Sequence, residues 1–238
     1  MKNPTECVKN LRMLLKKLPA AAPLEFPDRA DPMAVLVFSF LLWESTMEQA
    51  LAAYEQLMDH IVDFNDLRVC MACETAEFLG APCPLAEERS RRLRAALRDI
   101  YLREHTVDLE RLKTLGKREV RRELKTLDGM VPYVASRIML LCFDTHAIPV
   151  DEQLRSHLAE VGAVDEEADV AEVSVWLSRQ IRASAGLATH FALQAWVDGL
   201  AVRASRRGGG RRRTIRAGVS GKPSLRGVAD AGPESASG

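Results

Sequence analysis

The stretch that decides the fold lies in the middle of the chain, where residues 124–143 read LKTLDGMVPYVASRIMLLCF and residues 148–151 read IPVD. Apolar residues recur at helical spacing in two runs, and Pro132 suits the first turn of the second run. A short turn centred on Gly129 separates the runs. The pattern predicts a helix, a tight turn, a second helix, and a loop that delivers Asp151 to the start of a third helix.

Gly129 gives this turn its predicted chemistry. Glycine adopts left-handed backbone conformations at little steric cost, so the chain can turn sharply there. The amide groups around Gly129 and at the start of the next helix are then available to an anion, because helix N-termini carry partial positive charge. The sequence therefore predicts a turn that suits a phosphate group.

Helical periodicity recurs along most of the chain, and no window alternates for long enough to predict a strand. We therefore predict an all-α protein. Pro32 and Pro84 are expected to open two of its helices. The predicted helices cover about residues 5–18, 31–42, 46–62, 72–80, 84–104, 116–127, 132–142, 151–161, 168–183 and 187–202.

Charge and composition divide the chain into three segments. Residues 204–238 hold eight basic residues, two acidic residues and almost no large apolar side chain, so we predict a disordered tail rich in Arg and Gly. Of the 33 basic and 33 acidic residues, the rest of the chain therefore holds 25 and 31, and any surface for a polyanion must be a local patch there. Residues 28–203 are predicted to form the helical domain, preceded by an N-terminal helix and linker over residues 1–27.

The cysteines and histidines predict no cofactor. There are five cysteines, an odd number without a regular framework, and five histidines without paired metal spacing, so reduced thiols and surface or core imidazoles are expected. Cys70, Cys73 and Cys83 could hold zinc, but no fourth ligand is evident. The most apolar run, Met33–Trp43, is too short to span a bilayer, and the N-terminus lacks an apolar signal segment. We therefore expect an intracellular, cytoplasmic protein.

Residues 127–135 carry a resemblance to a known family. They read LDGMVPYVA and lie without a gap over the hairpin of the helix-hairpin-helix (HhH-GPD) DNA glycosylase superfamily, whose turn reads Leu-Pro-Gly-Val-Gly. Val150 and Asp151 follow at the distance of that superfamily's Val-Asp motif. Upstream, residues 42–46 (LWEST) are similar to its Leu-Ser-Gln-x-Thr segment. Over about residues 28–200 the chain thus resembles endonuclease III and the adenine and thymine mismatch glycosylases.

This resemblance implies a fold and a reaction. The fold is a two-lobed helical body in which the N-terminal helix joins sequence-distant helices, and the hairpin and Asp151 face one cleft. The reaction is hydrolysis of the N-glycosidic bond of a damaged or mismatched base, in base-excision repair. A carboxylate can stabilise the positive charge that builds on the sugar, or activate the attacking water.

Asp151 and Tyr133 are the catalytic residues that the resemblance implies. Bifunctional members of the superfamily have a lysine where Tyr133 stands, so a monofunctional glycosylase without lyase chemistry is expected. The C-terminal four-cysteine iron–sulfur loop of endonuclease III is not expected here, since no cysteine follows Cys142. The residues alone leave open that Asp151 only caps the helix that begins at Glu152.

The DNA-binding residues that the resemblance implies lie in the hairpin and in the upstream segment. They are Gly129, Met130, Val131, Pro132, Glu44 and Lys125. Three positions depart from the family pattern. Val131 replaces the second glycine of the hairpin, and Asp128 places a negative charge beside the phosphate site. Glu44 stands where the family usually has the glutamine that fills the gap left by an extruded base.

Double-stranded DNA with a damaged or mismatched base is the expected partner, bound by a monomer without a membrane; in a bacterium the protein would be associated with the nucleoid. The departures leave a second hypothesis open, a catalytically inactive DNA-binding or scaffold protein of the same fold. A helical protein without a DNA role is a third, because the body is acidic. The basic tail is predicted to add sequence-independent affinity for DNA. The sequence does not identify the base.

Overall fold

The computed structural model describes residues 3–18, 27–80 and 83–211, with side chains through Ala204. Every regular element in these residues is helical, which confirms the predicted all-α class. Short 3₁₀ helices lie at Glu110–Thr114 and Ala183–Ala185. The α-helices are α1 Pro4–Lys17, α2 Pro32–Leu42, α3 Met47–His60, α4 Phe64–Val69, α5 Ala72–Leu79, α6 Ala86–Glu104, α7 Lys117–Thr126, α8 Pro132–Cys142, α9 Glu152–Glu160, α10 Val170–Gln180 and α11 Gly186–Arg211.

Each predicted helix is present, but helix α4 and the start of α6 differ from the prediction. Helix α4 was not predicted, because six residues are too few to display a helical period. The side chain of Asp63 caps it by accepting a hydrogen bond from the Asp66 amide at 2.7 Å. The prediction that Pro84 opens a helix was wrong, since α6 begins at Ala86 after Leu85 takes a left-handed conformation.

The buried apolar side chains form two clusters, one for each lobe. The first centres on α2, whose eleven residues are all buried, as expected of a helix that is apolar on every side. The second joins Leu11 of α1 to apolar residues of α9, α10 and α11. The N-terminal helix therefore belongs to the same lobe as the last helices of the chain. This arrangement confirms the two-lobed fold predicted from the sequence.

The hairpin between α7 and α8 packs directly on α6. Gly129 has a φ of 70° and approaches α6 so closely that an added Cβ would overlap the Arg92 carbonyl and lie 2.9 Å from the Ala95 Cβ. The Asp128 amide donates to the Asp99 carboxylate of α6 at 2.9 Å. Glycine is thus required here by both backbone conformation and space.

Two predicted segments are only partly described. Helix α11 is described through Arg211, so residues 204–211 of the predicted tail are helical, although three of these residues are glycines, which disfavour a helix. Residues 212–238 lie outside the described residues, as do residues 19–26 of the predicted linker. Among the described helices, none is both long and apolar enough to cross a membrane.

Candidate active site

Asp151 is the N-cap residue of α9, and both of its carboxylate oxygens are hydrogen-bonded. One accepts from the Leu154 amide at 2.9 Å, and the other accepts from the Glu44 amide at 3.2 Å. The residue is 7% exposed. Burial raises the pKa of Asp151, although the two amide donors oppose that shift. The carboxylate is therefore held in one orientation by two segments that are far apart in sequence.

Glu44 lies directly against Asp151. Its backbone is left-handed, with a φ of 56°, a conformation that residues other than glycine seldom adopt. Its carboxylate accepts a hydrogen bond from the Glu152 amide at 2.7 Å. Burial, and then the charge of Asp151, raise the pKa of Glu44. Both carboxylates therefore lie at the N-terminus of α9, where the helix dipole favours negative charge.

The turn that carries Glu44 is held from both sides. On its N-terminal side, the fully buried guanidinium of Arg89 donates to the Trp43 carbonyl oxygen. On its C-terminal side, Thr46 caps α3 by accepting from the Gln49 amide at 3.3 Å, while the Gln49 side chain accepts from the Thr46 amide at 3.2 Å. These contacts fix the left-handed conformation of Glu44 between two anchored residues.

Tyr133, near the start of α8, lies beside the same cavity as Asp151. Its hydroxyl donates to the Gln194 side-chain oxygen at 3.4 Å, and burial raises the pKa of Tyr133, so the phenol stays protonated at neutral pH. Tyr133 and Asp151 line one cavity together with His190 and Gln194. The cavity measures about 10 Å³, no more than the space for a single water-sized group.

Helix α11 supplies site residues that the sequence analysis did not single out. His190 is buried, and its Nε2 has no hydrogen-bond partner among the described residues. Burial, and then the nearby Arg137, lower the pKa of His190 to about 3, so its imidazole is neutral at pH 7. Gln194 donates to the Asp198 carboxylate at 3.0 Å, and that carboxylate also accepts from the Met47 amide at 3.2 Å. No local signal could have found these residues, because tertiary packing decides which face of α11 meets α8.

The predicted DNA-binding residues fall into separate places. Gly129, Met130, Val131 and Pro132 form the turn that leads into α8, whereas Glu44 lies beside Asp151. The φ of Val131 is −102°, an ordinary extended value, so replacing the family's second glycine with valine causes no backbone strain.

Lys125 is exposed on the last turn of α7. Together with Pro132 it lines a second cleft, of about 360 Å³, whose lining includes neither Asp151 nor Tyr133. The structure thus places Glu44 in contact with Asp151, whereas Lys125 lies in the second cleft.

The cysteines that the sequence left as a candidate zinc site are all free thiols. Among the residues with described placement, no group of three or more His, Cys, Asp or Glu side chains is arranged to hold a metal ion. Cys83 instead accepts a hydrogen bond from Arg89 at 3.2 Å. A wide surface cavity of about 1060 Å³ between α5 and α6 includes Cys73 and Cys83 and none of the predicted site residues.

Solved structures share this architecture. A trapped endonuclease III–DNA covalent intermediate is 16% identical over 81% of this chain and 84% of its own, with a TM-score of 0.58. A thermostable thymine-DNA glycosylase is 16% identical over 82% of this chain and 86% of its own, with a TM-score of 0.55. The 8-oxoguanine glycosylase/lyase of Clostridium acetobutylicum, in complex with DNA, is 19% identical over 80% and 69%, with a TM-score of 0.57.

No protein-family model matches the sequence, and no curated protein matches it either. The structural likeness is nevertheless extensive, since it covers about four-fifths of the chain. The fold is therefore the HhH-GPD DNA glycosylase fold, which confirms the fold expected from residues 127–135 and from Val150 and Asp151.

Proposed function

We propose that this chain is a monofunctional DNA glycosylase that hydrolyses the N-glycosidic bond of a damaged or mismatched base. The observation that carries the proposal is the meeting of Asp151 and Tyr133 at one buried cavity within the glycosylase fold. A carboxylate is the group that bond cleavage needs, and the neighbouring phenol excludes the amine of a lyase. The proposed partner is duplex DNA, bound by a monomer in base-excision repair.

Asp151 has the chemistry for the hydrolytic step. As the bond between the anomeric carbon and the base nitrogen breaks, its electron pair leaves with the base, and positive charge builds on the sugar. The Asp151 carboxylate stabilises that charge from a fixed position. The oxygen of a water molecule then bonds to the anomeric carbon, and one of its protons is released, so that a free base and an abasic sugar remain.

The hairpin supplies the proposed contact with the DNA backbone. The turn formed by residues 129–132 leads into the N-terminus of α8, where helix amides suit a phosphate oxygen. Lys125, exposed at the end of α7, adds positive charge beside it. Phosphate contacts of this kind position the duplex without reading its sequence. The base itself is selected by the cavity and not by the hairpin.

A base can reach Asp151 only if the cavity beside it opens. The cavity of about 10 Å³ excludes a nucleobase, and the Glu44 amide occupies one Asp151 oxygen. Glu44 therefore lies beside the carboxylate that the base must reach, at the position where the superfamily has the glutamine that fills the gap in the DNA.

The test is a base-release screen on the full-length protein. Labelled duplexes carrying uracil, a thymine mismatch, an alkylated base or an oxidised base are incubated with the protein and then either heated in alkali or left untreated. We expect strand cleavage only after alkali, and no adduct when borohydride is present. An adduct trapped at any lysine would contradict the monofunctional mechanism. Absence of release from the whole panel would contradict the enzymatic proposal.

A second candidate function is a DNA-binding or scaffold protein without catalysis. It is favoured by one observation, the hydrogen bonds that the two Asp151 carboxylate oxygens accept from the amides of Leu154 and Glu44. A carboxylate at an N-cap position stabilises its helix without any catalytic role. Tight binding to a duplex containing an abasic-site analogue, without base release from any substrate, would support this function over the first.

A further inference from the structure

A cleft that the proposed reaction does not use lies beside the hairpin. Its volume is about 360 Å³, which falls in the size range of small-ligand sites. The walls come from α7, α8, the segment before Asp151, and α10. Apolar surface is supplied by Pro132, Met139, Val150 and Val175, of which Val175 is 53% exposed.

The cleft and the Asp151 cavity lie on opposite sides of one extended segment. Val150 lines the cleft, whereas its neighbours Pro149 and Asp151 line the cavity. Successive side chains of an extended chain point in opposite directions, which accounts for the separation. The cleft is therefore a different site from the cavity.

The side chains of the cleft that carry a full charge are all cationic, beside three serine hydroxyls and the imidazole of His146. Arg121, Lys125 and Arg179 contribute to the lining, and no aspartate or glutamate does. Arg121 donates to the His146 carbonyl oxygen at 3.4 Å. Neither Lys125 nor Arg179 forms a side-chain hydrogen bond or an ion pair with any residue whose placement is described. In a body with an excess of acidic residues, three cations without a carboxylate partner mark a site for an anion.

We propose that this cleft binds one unpaired nucleotide of a DNA strand. The phosphate contacts the guanidinium and ammonium groups, which are the usual partners of phosphate oxygens. The base lies against the apolar wall, since a nucleobase offers a flat apolar face to any sequence. The proposal rests on the proposed DNA binding, because the DNA strand reaches the cleft by way of the hairpin that ends at Pro132.

The experiment compares two DNAs of the same duplex sequence, one blunt and one with a short single-stranded overhang. Binding to the full-length protein is measured by fluorescence anisotropy. We expect the wild type to bind the overhang DNA roughly tenfold more tightly than the blunt DNA. Val175→Glu places a carboxylate among the cations and should abolish this preference while leaving blunt-duplex affinity within about twofold. Arg179→Gln should reduce the preference for the overhang DNA from roughly tenfold to about threefold.

Val69→Glu is the matched control, because this substitution adds the same charge at a residue that is 56% exposed and lies outside the cleft lining. It should keep the full preference, and circular dichroism should show that both valine variants fold. Equal wild-type binding to the two DNAs would overturn this proposal alone. Equal effects of Val175→Glu and Val69→Glu, or competition by a free mononucleotide as strong as by the overhang, would also overturn it. Failure of the wild type to bind either DNA would contradict the proposed function as well.

Discussion

Two turns of this molecule share one backbone conformation and use it differently. Gly129 in the hairpin has a φ of 70°, and Glu44 before α3 has a φ of 56°. Gly129 lies so close to α6 that no side chain fits. At Glu44 a side chain does fit, and its carboxylate binds the first amide of α9.

The difference separates architecture from function. At Gly129 the left-handed conformation and the absence of a side chain both serve the packing of the hairpin on α6. At Glu44 the same conformation costs about 1 kcal/mol or more for a residue with a side chain, and neighbouring contacts maintain it. A strained residue that is held in place beside a buried carboxylate is expected at a functional site.

The largest effect is expected from Gly129→Ala. The added methyl group overlaps the Arg92 carbonyl, and the alanine must keep the positive φ of the glycine. The free energy of unfolding should therefore fall by about 3 kcal/mol or more. Gly199→Ala is the control, because the space around Gly199 within α11 is open. It should raise stability by about 0.5–1 kcal/mol. Urea denaturation measures both, and similar losses would show that the hairpin glycine has no special role.

A smaller effect is expected where the Glu44 turn meets α3. Thr46→Ala removes the hydroxyl that accepts from the Gln49 amide, so the free energy of unfolding should fall by about 1 kcal/mol. Thr46→Ser retains the hydroxyl and should stay within a few tenths of a kcal/mol of the wild type. If both variants unfolded at the same denaturant concentration, the cap would not anchor the turn.

The smallest effect concerns the pH dependence of stability. The pKa of Glu44 is raised above its ordinary 4.5 in the folded protein, mainly by burial, so the folded state binds the proton more tightly than the unfolded chain. Its contribution is therefore present at acid pH and is lost as the pH rises through the folded-state pKa. Relative to Glu44→Gln, the free energy of unfolding of the wild type should fall as the pH rises from about 4 to 7, by a small amount because solvent screens this partly exposed side chain.

Glu152 offers a control of opposite sign. The side chain of Arg155 lowers the pKa of Glu152 by donating a hydrogen bond to it, so its contribution is present at neutral pH and is lost as the pH falls. Relative to Glu152→Gln, the free energy of unfolding of the wild type should therefore rise slightly as the pH rises. If the stability of the wild type changed with pH in the same direction relative to Glu44→Gln and relative to Glu152→Gln, the assigned environment of Glu44 would be contradicted.

The sequence predicts the elements of this comparison better than their contacts. Helix caps and apolar periods are local signals, so α8, α9 and the turn at Gly129 were predicted close to their observed bounds. The left-handed conformation of Glu44 was not predicted, because glutamate has no local preference for it. His190 and Gln194 were missed for a related reason, since their role depends on packing between α11 and α8.

Base release by Asp151→Asn tests the central claim most directly. Asparagine retains one oxygen that can accept from the Leu154 amide, but its amide nitrogen replaces the oxygen that accepts from the Glu44 amide, so the thermal unfolding midpoint should fall modestly. Asparagine also lacks the charge that stabilises the cationic sugar. On whichever duplex the wild type processes, single-turnover release should fall by about a hundredfold or more. Equal rates for the two proteins, each measured below its unfolding midpoint, would contradict the account and reduce Asp151 to a helix cap.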